Sequence, residues 1–498
     1  MTQANAVRSL VIAGGGLDAW VTAAALAHSF RSQELEIRVL AQAAGGTPAA
    51  EATAPISLAF HQHLGIDEAA LMRATSGTFS MGTRFRDWVA PGHDYFQPMG
   101  PHGASIEFVH FHNFANKARL AGDATPFNDY SLCAVAARQG RFTHPSNDRN
   151  SILSTLFYAH HLDTARYAAF MRDFAMGLGA NEIEGEIDDL ELDAESGFVR
   201  ALRLADGKEI AADLFIDCTG HPAALMKRLG NDHVDWSGCL PANRAITARG
   251  PAGDTPPHAT ITATDAGWHQ VLPLQQSTAH RFVFREADLA EDAASALLNE
   301  AAGGALESEP ETLRFTAGHV EDFWRGNCIA LGSAAGSFTP LDSARIAALQ
   351  AGVMRLVTLF PDRDCDPRLA DEYNEVTRAE YASVRDFHIL HFLAVQRDSD
   401  FWTAHRESAV PESLAYKIRL FREHGQVAFY EEESYPDTSW VSVWLGQDQW
   451  PKRYDPVLDK YDFERLQGRF SQMRDIIRHA AGEMPAHAAY LRRYCPAD

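Results

Sequence analysis

Apolar positions cluster first at Ser9-Leu10-Val11-Ile12-Ala13, which predicts a buried strand. Gly14-Gly15-Gly16 then predicts a tight turn, and Trp20 to Ala27 an alanine-rich helix. Leu35 to Ala41 reads as a second strand that completes a βαβ opening, and residues 45–48 as a loop. Ile56 to Ile66 is helical, Thr78 to Trp88 alternates like one strand, and residues 89–130 are loop-rich and aromatic. Leu156 to Leu178 reads as helix, and Glu182 to Leu192 with Phe198 to Leu204 as a strand pair. Ala212 to Gly220 is a buried strand ending in a Thr-Gly turn, while GWHQVLPL and HRFVFRE are antiparallel strands. Residues 287–306 form an acidic helix. Asn327 to Ala330 is a strand that runs into the small-residue turn Gly332 to Gly336. Ile346, Leu349, Val353, Leu356 and Phe360 mark an amphipathic helix, which Asp342 or Ser343 would cap. Helices dominate from Asp366 onward.

Composition narrows the partners. A chain of 498 residues suggests two to four units at about 150 residues each. The formal charge of −22, with no compensating basic tract, argues against nucleic acid and anionic membrane. Six scattered cysteines without a C-x-x-C fit a reduced, cytoplasmic protein without disulfides or zinc. Residues 9–30 are apolar behind Arg8, but Gly14-Gly15-Gly16 and Asp18 interrupt any signal-peptide core. No run of about 20 apolar residues predicts a membrane span. The pair His110/His112, two apart on an expected strand, could face a metal, as could His61/His63, His160/His161 and His388/His391. None has a convincing third ligand nearby, so no metal is expected.

The glycine turn carries the first chemistry. Gly14 permits the turn, Gly16 lets backbone approach a phosphate, and Ala19 packs helix on strand. The following helix start offers free N–H groups to a pyrophosphate. Ala41 and Gln42 stand where a dinucleotide fold usually keeps a ribose-binding acid.

Three such segments, at residues 10–20, 212–220 and 327–342, suggest an FAD monooxygenase architecture. GGGLDAW resembles the GGGTAGW opening of flavin-dependent tryptophan halogenases, and EATAP their GEAT-x-P stretch. YSLCAVAARQGRF, ADLFIDCTG, NCIALGSAAGSFTPLDSARI, RDFHILHF and SWVSVWLGQDQWPKRYDP follow the same family in order, over nearly the whole chain. The resemblance implies an α/β fold: an FAD-binding Rossmann-like box with mixed sheets, plus a largely helical C-terminal substrate module. The box is expected from residues 1–75, 150–225 and 310–360, and the module from 76–149, 226–309 and 361–498.

By resemblance, FAD arrives reduced from a separate flavin reductase and reacts with oxygen. Halide is oxidised beside the ring, and hypohalous acid crosses a tunnel to a lysine beside a small aromatic substrate. The cofactor-binding residues implied are Gly14, Gly16, Ala19, Trp20, Glu51, Ala52, Thr53, Ile187, Gly332, Ser333, Gly336, Pro340 and Leu341. A homodimer is left open.

Departures fall on the chemistry. The lysine of ATFKLG becomes Ser80, which supplies no cationic donor, and the glutamate of PLESTGI becomes Asp342. These two are the catalytic candidates. Ser343, Ala344 and Arg345 occupy the halide stretch, where Arg345 either attracts an anion or fills its space. W-x-W-x-I-P survives as Trp268-His269-Gln270-Val271-Leu272-Pro273, with Trp268 and Gln270 the substrate candidates. Three readings stay open: an oxygenase using reduced FAD on an indole-like molecule, a flavin-binding sensor or scaffold, and a halogenase with a rearranged site.

Overall fold

The computed structural model describes residues 5–42, 46–431 and 433–497, so the loop expected to start at Gly45 lies partly outside it. The chain divides into two compact units, each assembled from three stretches. Unit one comprises residues 1–75, 162–247 and 310–382; unit two comprises 76–161, 248–309 and 383–498.

A six-stranded sheet forms the centre of unit one, in the order Trp324–Arg325, Cys328–Ala330, Leu214–Asp217, Ser9–Ala13, Glu36–Ala41, Asn181–Glu184. All neighbours are parallel except the first pair. Such strands are covered on both faces and therefore read as unbroken apolar runs; Leu10 to Ala13 and Leu214 to Ile216 are fully buried. The Leu17–Ser29 helix packs on the Thr164–Gly177 and Ala344–Thr358 helices. It begins at Leu17, a turn earlier than the apolar pattern indicates, because Gly16 is already its N-cap.

Three boundaries differ from those expected from the sequence. Residues 226–247 join unit one because His233–Asp235 pairs with Gly318–Val320, and Arg244 to Thr247 pairs with Glu311–Arg314. Residues 361–382 join it because Asn374 bonds both backbone groups of Trp324 and Arg355 pairs with Glu380 at 2.8 Å. Residues 150–161 fall in unit two, where Ala159, His160 and His161 pair with Ser80, Phe79 and Thr78.

That pairing also overturns the helix expected over 156–178. Ala159–Asp163 is a strand with every residue buried, and Asp163 ends it by capping the next helix through the Arg166 N–H, at 3.0 Å. The strand pair expected at 182–204 is likewise split. A Cβ at Gly185 would sit 2.5 Å from Leu204 Cδ1; Asn181–Glu184 joins the main sheet, whereas Ile187–Leu192 pairs with Val199–Leu204.

Unit two holds the strands Ser277–Phe284, Gly267–Pro273, Ala259–Thr264, Gly82–Arg86 and Asp94–Pro98, neighbours in that order within a seven-stranded sheet. Here the single strand expected at 78–88 breaks after Ser80, since Gly82 lies against the Gln97 carbonyl where a Cβ would be 2.4 Å away. The helices Leu132–Arg138, Asp400–Arg406, Glu412–His424, Asp437–Gly446, Phe463–Glu483 and His487–Tyr494 supply most of the rest. The segment 89–130 is loop-rich, and it also contains the Asp94–Pro98 strand and the Phe111–Leu120 helix. His110 is that helix's N-cap and His112 lies within it, so the two are not on one strand face. His110 pairs with Asp437 at 3.2 Å, and His112 Nε2 lies 2.6 Å from the Gly425 carbonyl oxygen. Among the described residues no group of three metal-ligating side chains assembles. Nor is any described helix long and apolar enough to cross a membrane.

Candidate functional site

The glycine turn of unit one is built by close backbone approach. Gly14 has φ +134°, and a Cβ there would meet the Cys218 carbonyl oxygen at 2.3 Å; a Cβ at Gly15 would meet the Gln42 carbonyl at 2.5 Å. Gly16 caps the Leu17–Ser29 helix in an extended conformation, and no side chain caps the helix start. Ala19 is fully buried and Trp20 nearly so, with the Arg172 guanidinium 5.7 Å from its ring centre.

Asp18 faces the second small-residue turn. Its Oδ2 accepts from the Ser333 N–H at 2.8 Å, and Gly332, at φ +61°, leaves room for it, since a Cβ there would lie 2.3 Å from that oxygen. Arg345 closes the group. Its Nη1 donates to Asp18 Oδ1 at 2.5 Å and lies 3.4 Å from Ser333 Oγ, and its Nε donates to Glu51 Oε1 at 2.9 Å. Asp18 and Glu51 are buried, and the Arg345 side chain is 25% exposed. Burial alone would lower the Arg345 pKa, but the two carboxylates more than offset this and hold the guanidinium firmly charged. One cation between two carboxylates leaves the cluster a net negative charge.

Of the residues expected from the sequence, Glu51, Ser333 and Arg345 are thus brought together, with Gly332 beside them. Asp18 was not among them. Its signal was the exchange of GGGTAGW for GGGLDAW, an acid placed in an apolar helix start. Ala52 ends the Ala50–Ala52 strand and Thr53 follows it, fully buried. Gly336 pairs with His319, where a Cβ would clash with the Gly318 carbonyl at 2.5 Å. Pro340 and Leu341 precede the Ala344–Thr358 helix, and Leu341 is fully buried. Asp342, not Ser343, satisfies that helix start: its Oδ1 accepts from the Ala344 N–H at 2.9 Å, whereas the Ser343 side chain makes no cap bond. Ile187 opens a strand of the separate three-stranded sheet and pairs with Leu204.

The remaining candidates lie in unit two. Ser80 is 1% exposed, and its hydroxyl donates to the Gly82 carbonyl at 3.2 Å. Trp268 is fully buried among Trp88, Phe392, Phe401 and Trp402. Gln270, on the same strand face, accepts from Arg281 Nη1 at 3.1 Å.

The tryptophan halogenase family model matches residues 9–462. This chain belongs to that family. BrvH, a flavin-dependent halogenase from Brevundimonas sp. BAL3, is 38% identical with a TM-score of 0.94, over 98% of this chain and 99% of that one. A flavin-dependent halogenase from Xanthomonas campestris is 37% identical with the same TM-score, over 99% of both chains. Among curated relatives, tryptophan 6-halogenase SttH of Streptomyces toxytricini is 27% identical over 97% of each chain.

Proposed function

We propose that the protein is a flavin-dependent oxidoreductase acting on a small, indole-like aromatic molecule, in which oxygen chemistry has taken the place of halogenation. The carrying observation is the Asp18–Arg345–Glu51 cluster. Two charges of opposite sign stand where the family motifs have alanine and glycine, and they neutralise each other across the cradle.

The cradle fits FAD. Gly14 and Gly15 lie where a Cβ would strike backbone, and the Leu17–Ser29 helix start carries no side-chain cap. Gly14, Gly16, Ala19 and Trp20 would hold the pyrophosphate side. Glu51, Ala52, Thr53, Ile187, Gly332, Ser333, Gly336, Pro340 and Leu341 would hold the remainder. When bound in reduced form, supplied by a separate reductase, FAD delivers two electrons to molecular oxygen. Asp18 would repel a pyrophosphate if it were free, but Arg345 and the Ser333 N–H hold its charge.

The same bonds deny a halide its receptor. Two of the three Arg345 nitrogens donate to carboxylates, and an anion displacing the guanidinium would face Asp18 and Glu51 unscreened. Ser80 adds a second loss, since its hydroxyl is spent on the Gly82 carbonyl and carries no positive charge.

The test supplies purified protein with FAD, a flavin reductase, NADH, oxygen and bromide, and analyses an indole and phenol panel by mass spectrometry. Oxygen-containing products without brominated ones are expected. Robust bromination, unchanged in Arg345→Ala, would overturn this reading, and bromination lost in Arg345→Ala would favour a halogenase with a rearranged anion site at Asp342 and Arg345. Absence of saturable binding of oxidised or reduced FAD would leave only a scaffold role. Ser80→Lys alone is expected to restore no bromination, because an amine has nothing to pass on when halide is not admitted.

A further inference from the structure

Unit two carries a cleft of about 920 Å³ that none of the candidate site residues lines. Its walls come from the Gly82–Arg86 and Asp94–Pro98 strands, the Phe111–Leu120 helix, residues 123–130 and the end of the Asp437–Gly446 helix. The volume is in the range of small-molecule sites.

Three features give it a chemical preference. Trp450 and Phe127 meet edge to face, 6.1 Å apart at 82°, and present aromatic surface. The Arg119 guanidinium lies 5.0 Å from the Trp450 ring centre, steadied by two 3.2 Å bonds from its Nε and Nη2 to Asn116 Oδ1. The other two arginines of the cleft are neutralised, Arg84 by Asp94 and Arg138 by Asp129, whereas Arg119 has no carboxylate partner among the described residues. The acids are also engaged: Asp123 accepts from the Thr125 N–H and hydroxyl at 2.9 and 2.6 Å, and Asp448 lies 3.5 Å from His93 Nε2.

Two residues lining the cleft each carry a buried polar atom that is left over. Ser442 Oγ, on a residue only 3% exposed, has no hydrogen-bond partner, and neither does the buried His93 Nδ1. Orphaned buried polar atoms are uncommon and point to an absent partner. Arg119 and Ser442 offer donors.

We infer that this cleft binds a small aromatic carboxylate, its ring against Trp450 and Phe127 and its carboxylate on Arg119 and Ser442. The inference does not rest on the flavin reading, because no cradle residue takes part in it.

Titration calorimetry of the full-length protein without FAD tests it, with indole-3-acetate as probe and indole-3-ethanol as its uncharged counterpart. One saturable site is expected, with indole-3-ethanol at least tenfold weaker. Arg119→Gln should weaken indole-3-acetate at least tenfold and Ser442→Ala several-fold, with melting temperatures close to the parent's. Ser442→Phe, which fills the cleft, should abolish the heat. Absence of saturable heat in the parent, or binding that survives both Arg119→Gln and Ser442→Phe in folded protein, would overturn the assignment.

Discussion

Arg345 is the residue on which the cradle turns. Removing it leaves Asp18 and Glu51, both buried, without a cation. Breaking a buried pair in this way typically costs about 3–5 kcal/mol. Urea unfolding of Arg345→Gly should show a loss of that order, and the double variant Asp18→Ala/Arg345→Gly a clearly smaller one, since no orphaned acid remains at position 18. Equal losses in the two would mean that the pair does not act as a unit. The motif positions Ser80, Asp342 and Arg345 could be found by matching the family's motifs to this chain. The partnership of Asp18 with Arg345 could not, because 327 residues separate them and no local period links them. Trp268 shows the opposite failing: its motif is legible, but only the structure shows its ring enclosed by Trp88, Phe392, Phe401 and Trp402.

Among the elements, the βαβ opening and the parallel strands were legible because burial on both faces writes an uninterrupted apolar run. The Ala159–Asp163 strand was not. It abuts the Thr164–Gly177 helix without a spacer, and the junction rests on one acid, Asp163. The turn at Gly332 to Gly336 was readable as small residues, yet its reason is conformational as well as spatial. Gly332 combines a positive φ with a carboxylate oxygen 2.3 Å from any added Cβ. Gly332→Ala should therefore cost at least ~1–2 kcal/mol from the left-handed backbone alone. Adding Asp18→Ala should relieve the crowding but leave that conformational part, which denaturant midpoints for the single and double variants will resolve.

For the molecule as a whole, acid sensitivity should be concentrated in unit two. Burial lowers the pKa of His161 and His269 to about 3, and of His102, His112, His405 and His487 to about 4. The unfolded chain takes up these protons near pH 6.5. Stability from keeping the rings neutral is therefore complete above pH 6.5 and lost as pH falls from there toward 3–4. The upper limit is about 1.4 kcal/mol per ring per pH unit. Denaturant midpoints should fall steeply between pH 6.5 and 5, with several protons taken up on unfolding; a flat profile would show these rings to be protonated in the native state. The interleaving of the two units has a further consequence, one of order in time. On the ribosome, Asp18 and Glu51 emerge early, but Arg345 follows roughly 15–65 s later at ordinary elongation rates. Through that interval the nascent chain holds two acids destined for burial with no cation to meet them. Unit one can close only after residue 382 is out, when the whole middle of unit two has already been made. Chains halted before Arg345 should therefore stay open to protease at the glycine turn, whereas chains extended past residue 382 should become resistant there.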